Sequence, residues 1–127
     1  MEIATVQKNI TAVADKWSAQ LPERLARRAL DRADFATLRD AGLTLTGVPT
    51  DMGGVWQDAQ RSTRPVGAMF RALASADPSV ALVVTMHPTV LALWLEQPDE
   101  RPVDADAWRE QRDRVLSAAR PSPVTLN

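Results

Sequence analysis

Apolar residues recur with helical spacing from the start of the chain. Val6, Ile10, Val13 and Trp17 follow one another at intervals of 4, 3 and 4, one stripe of an amphipathic helix over Ile3 to Ala19. Pro22 suits the first turn of a second helix, continued by Leu25 and Ala29. Asp31 to Asp34 is compatible with a break or with continuation. Phe35, Leu38 and Ala41 form a further stripe, and Gly42 is a good stop because a left-handed residue costs glycine little. Residues 43–62 read as a loop: Pro49, Gly53 and Gly54 interrupt every period. Such a length in a compact domain suggests a functional segment or one packed on a partner.

The pattern resumes at Thr63 to Ala76, where Ser62 or Thr63 can cap and Pro65 falls in the first turn. Val66, Met69, Phe70, Leu73 and Ala76 make its apolar face. Asp77-Pro78 is a second start signal, an acidic cap before proline. The helix that follows, Pro78 to Leu95, is apolar nearly all round and should be buried on most sides. Pro88 should kink it near Val84 to His87. After a polar connection at Gln97 to Val103, Asp104 or Asp106 can start a last helix through Trp108, Val115 and Ala118. The expected fold is all-α: an up-and-down-like bundle of about five helices with one long loop. No internal repeat is visible.

Composition agrees. Tyrosine is absent, and only Val80, Val83 and Val84 make a β-branched cluster. The 127 residues, 45% hydrophobic and 24% charged, suit one domain over residues 1–120 with a disordered tail at 121–127. The net charge of -1 gives no electrostatic case for nucleic acid or an anionic membrane. The arginine run from Arg24 to Arg32 reads as a solvated helix face. Without cysteine there is no thiolate nucleophile or iron–sulfur site, and with one histidine, His87, a zinc site would have to rest on carboxylates. The first residues lack a basic segment followed by an apolar one, so no signal peptide is read. The longest apolar stretch, Val80 to Leu95, is shorter than the roughly 20 residues a bilayer requires. The expectation is a soluble, cytoplasmic protein.

Two segments carry a family likeness. The first is Asp34-Phe35-Ala36-Thr37-Leu38-Arg39-Asp40-Ala41-Gly42-Leu43, then Gly47-Val48-Pro49 and Met52-Gly53-Gly54. The second is Arg71-Ala72-Leu73-Ala74-Ser75-Ala76-Asp77-Pro78-Ser79-Val80-Ala81-Leu82. In order and spacing they resemble the N-terminal helical domain of the acyl-CoA dehydrogenase family, over roughly residues 20–95. The likeness implies an FAD-dependent oxidoreductase acting on CH–CH groups of an acyl-CoA-like thioester. A flavin-dependent monooxygenase on the same fold is a close variant. It places Ala81, Leu82, Thr85, Met86 and Thr89 on the acyl-pocket side, one face near i, i+4 and i+8. It also implies a β-domain and a C-terminal helical domain that supply the flavin segment and the carboxylate base, and a homo-oligomer. Neither domain is in this sequence, so a truncated protein, a domain fragment or an altered reading frame is expected. Such a chain would have no catalytic residue, no metal and no flavin of its own, and would be inactive alone.

Plainer readings stand beside these. His87 has no partner in sequence for acid–base work and suits a local hydrogen bond near the kink. Met86, Val90, Leu91 and Trp94 are more often core than ligand wall. Glu96, Asp99, Glu100, Asp104 and Asp106 lack the pattern of a calcium loop, and Asp51 suits a turn. Gly53 and Gly54 follow no strand and match no phosphate-binding motif. Trp56 suits packing on a partner domain or locally. A function of another class is a non-enzymatic helical interaction module that uses the apolar helix as a groove.

Overall fold

The computed structural model describes residues 1–95 and 104–121. Seven α-helices are found among them: α1 (Ile3–Ser18), α2 (Leu21–Ala26), α3 (Arg32–Asp40), α4 (Ala59–Ala76), α5 (Pro78–Val84), α6 (His87–Trp94) and α7 (Ala105–Ala118). The described residues contain no strand, only an isolated β bridge between Pro49 and Trp56. The expected connection at 97–103 and the tail beyond Pro121 lie outside the described residues.

The first stripe is where the periodicity puts it. α1 buries Val6, Ile10, Ala14 and Trp17 and packs most extensively on α4, through Met69 and Leu73. Leu38, Leu43, Val55 and Val80 complete this cluster. Its chief pairing therefore joins helices distant in sequence, because the intervening α2 and α3 are only 6 and 9 residues long. A second, smaller cluster gathers Val48, Leu91, Leu116 and Ala119. There α6 packs on α7, with the Trp94 and Trp108 ring centroids 4.7 Å apart.

Seven helices replace the expected five because two segments divide. Asp31 accepts a hydrogen bond from Ala33 N at 2.9 Å and caps α3, so the segment that could break does break. α2 ends at Ala26, leaving Ala29 outside it and Leu25 exposed. The long apolar helix also divides. The Pro88 ring would strike the carbonyl of Val84 and has no N–H to offer it. Accordingly α5 stops at Val84, and Met86 N turns back to Val83 O at 3.3 Å, three residues away. Nor are the two pieces buried on most sides: Leu82, Val83, Met86, Val90 and Leu93 are exposed.

α4 begins earlier than the pattern indicates. Asp58 caps it by accepting from Arg61 N at 2.7 Å, so Pro65 lies inside the helix. Ser62 is buried and accepts from Gln57 N at 2.9 Å instead of capping. The expected loop is thus shorter and tightly folded. Gly42, at φ 94°, ends α3 in the left-handed region. Gly54 approaches the backbone so closely that a Cβ would stand 1.9 Å from Val48 O. Trp56 N donates to that same oxygen at 2.9 Å, closing the loop on itself.

The arginine run is only in part a solvated face: Arg28 and Arg32 are exposed, whereas Arg24 and Arg27 turn inward. Arg24 is buried and its guanidinium lies 3.9 Å from the centroid of the Trp17 ring. Arg24 Nη2 donates to Asp34 Oδ1 at 2.9 Å, and Arg27 Nη1 to Asp34 Oδ2 at 2.9 Å. Arg27 Nη2 donates to Asp77 Oδ2 at 2.8 Å. Arg24 Nε lies 3.3 Å from that oxygen, a charge contact without hydrogen-bond alignment. Asp77 Oδ1 accepts from Val80 N at 3.0 Å, so one carboxylate closes the network and caps α5. The Asp34 hydrogen bond raises the Arg27 pKa, with both carboxylate charges adding to it against partial desolvation. A raised guanidinium contributes fully below its ordinary pKa and loses that contribution only at still higher pH, so Arg27 does not titrate near neutrality.

Three substitutions test the loop packing and the charge network. Gly54→Ala should lower stability by more than ~2 kcal/mol through backbone displacement, whereas Gly67→Ala, with nothing within 4 Å of the new methyl group in α4, should raise it by ~0.5–1 kcal/mol. Arg24→Met leaves two buried carboxylates to Arg27 alone and should cost ~3 kcal/mol, read as a lower urea midpoint. A loss below ~1 kcal/mol would show that the network does not hold these helices.

Candidate functional site

An apolar groove of about 420 Å³ opens between α3 and the α5–α6 break, beside the main core cluster, within the size range of small-molecule sites. Three segments build it. Phe35 and Leu38, one turn apart on α3, form one wall. The left-handed turn at Gly42 redirects the chain into a 3-10 turn, Leu43–Leu45, which contributes Leu43 and Thr44. The opposite wall is Val83 and Val84 at the end of α5, and Met86, His87 and Val90 across the break into α6. Because the break interrupts one apolar helix, it turns side chains from both pieces to the same opening.

Among the described residues, Thr44 and His87 are the only lining residues with oxygen or nitrogen in their side chains. Thr44 donates its hydroxyl proton to the carbonyl of Ala119, tying the groove's rim to the end of α7. Its carbonyl lies 2.9 Å from His87 Nε2. A carbonyl only accepts, so Nε2 carries the proton. The histidine therefore bonds across the fold, 43 residues away, rather than locally at the kink.

The five residues placed on the pocket side by family likeness are dispersed. Met86 lines the apolar groove. Leu82 borders a separate cleft of about 250 Å³ beside Arg27, Arg28 and Ser79. Thr89 borders a third, of about 510 Å³, with Gly47 and Trp56. Ala81 is in the main core, and Thr85 is exposed with its hydroxyl donating to Leu82 O. Phe35, Leu43, Thr44 and Val84 were missed as groove residues. Apolar periodicity marks them as structural, and nothing in sequence brings them to Met86.

Glu96, Asp99 and Glu100 lie outside the described residues. Asp104 caps α7, with Oδ1 accepting from Asp106 N at 2.9 Å and Ala107 N at 3.2 Å. Asp51 is exposed in the 3-10 turn Thr50–Met52. No group of three or more metal-ligating side chains occurs among the described residues, and no described helix is long and apolar enough to cross a membrane. The Gly53-Gly54 loop does not fit flavin phosphates. Gly53 N donates to Thr50 O and Gly54 N to Pro49 O, so the amides that would cradle an anion are already used. No family model matches the chain, and no curated protein or solved structure is similar to it.

Thr44→Val should destabilise the protein by ~1–3 kcal/mol, since the carbonyl of the buried Ala119 loses its donor. Exchange of the backbone amides near the end of α7 should quicken before that of α1. Equal protection of α7 in both proteins would show that Thr44 does not secure it.

Proposed function

We propose that the chain is the N-terminal helical domain of an FAD-dependent acyl-CoA dehydrogenase-like oxidoreductase and that the groove is one wall of its acyl pocket. The observation that carries this reading is the apolar groove between α3 and the α5–α6 break, lined by Phe35, Leu38 and Leu43 of the first family-like segment and by residues that follow directly on the second. The exposed side chains of Leu82, Val83, Met86, Val90 and Leu93 support it, since they are a face for further domains to cover. On this reading flavin and the catalytic base belong to those domains. This chain contributes shape and exclusion of water, which serve dehydrogenase and monooxygenase chemistry alike. The same exposed face favours a second reading, a helical interaction module whose partner covers α5 and α6 without any acyl ligand.

Titration with octanoyl-CoA, followed through the methyl resonances of the protein, tests the first reading. Shifts are expected at Val83, Val84, Met86 and Val90 and should be absent with CoA alone. Met86→Glu should weaken binding about tenfold or more by placing a charge in the apolar wall. If octanoyl-CoA leaves those methyl groups unmoved, the acyl-pocket reading fails and the interaction module is favoured. The purified chain should be colourless, and flavin retained near one equivalent would overturn the assignment of the cofactor to other domains.

A further inference from the structure

The geometry points to His87 Nδ1 as a hydrogen-bond acceptor in the groove, selecting an apolar chain that bears a hydroxyl or amide N–H donor. This inference rests on the acyl-pocket reading and narrows the ligand class within it.

The argument begins with the tautomer. Nε2 stands 2.9 Å from Thr44 O, and a backbone carbonyl has only lone pairs to offer. In its neutral form the imidazole therefore places its proton on Nε2 and leaves a lone pair on Nδ1. No partner for Nδ1 occurs among the described residues. The ring itself is half-buried and lines the groove. Thr44, the other polar side chain there, has given its hydroxyl proton to Ala119 O, so it does not supply Nδ1 with a donor. The remaining side chains around His87, including Phe35, Leu43, Val84 and Val90, are hydrocarbon.

A ligand that displaces water from this groove must replace the hydrogen bond that water can give Nδ1. A chain ending in a hydroxyl or amide N–H does so; an ester or ether oxygen, which only accepts, leaves the lone pair unsatisfied. The preference depends on fixing the ring, and Thr44 O does that from the opposite nitrogen. Thr44 is thus a positioning residue for the acceptor, held in turn by α7.

The probes are octan-1-ol and 1-methoxyheptane, isomers of similar apolar size that differ in having or lacking an O–H. Because His87 is the only histidine, its ring nitrogens can be followed in ¹⁵N-labelled protein without ambiguity. In the free protein Nε2 should carry the proton and Nδ1 should have the shift of an unprotonated nitrogen. Octan-1-ol should move the Nδ1 resonance and bind ~5-fold more tightly than the ether, as expected for one hydrogen bond. His87→Phe should remove that difference between the two probes. Equal affinity for the two probes, an unmoved Nδ1, or a proton found on Nδ1 would each overturn the inference. So would failure of both probes to bind. Octanoyl-CoA in the same titration separates the two claims: if it still shifts the groove methyl groups, the acyl-pocket reading survives the loss of the acceptor role.

Discussion

The closed set of charges formed by Arg24, Arg27, Asp34 and Asp77 sets the arrangement on which the rest depends. It joins α2, the segment after it, α3 and the start of α5, with Trp17 linking it to α1. Two positive and two negative groups cancel, so the interior carries no net charge there. Buried pairs of this kind add little net stability, but losing one member leaves the others uncompensated. The network thus discriminates against other packings of short helices that the hydrophobic pattern alone would allow. It also fixes α3 and α5, which form opposite sides of the groove.

From there the geometry follows from two backbone restrictions. Gly54 lets the loop press against Val48, which belongs to the second cluster while neighbouring Val55 belongs to the first. Pro88 ends the continuity between α5 and α6, so α5 packs with the first cluster and α6 with the second. Among the described residues that line the groove, only Thr44 and His87 bring side-chain oxygen or nitrogen to it.

Much of the helical framework is legible in the sequence for local reasons. The α1 stripe, the glycine stop at Gly42 and the Asp77-Pro78 start depend on neighbours within a turn. The bend before Pro88 is legible too, although as a kink in one helix rather than a break between two. The role of the arginines is not legible, because their partners lie 10 and 50 residues away. Nor is the start of α4: Asp58 has no apolar period before it, and Pro65 suggests a later start. The groove escapes sequence reasoning for a related cause. A continuous helical wheel gathers Ala81, Leu82, Thr85, Met86 and Thr89, but they meet different surroundings, and residues from α3 and the turn after it complete the groove.

The division of the apolar segment at Pro88 has a consequence for how such a domain can change. Its buried hydrophobic residues form two separate clusters, so a volume change in one need not be absorbed by the other. Substitutions among Leu91, Leu116 and Ala119 can shift α6 and reshape the opening while the α1–α4 pairing keeps its fit. The proline thereby separates two evolutionary tasks. One half of the chain can be held to the demands of folding while the other adjusts to whatever fills the space between them.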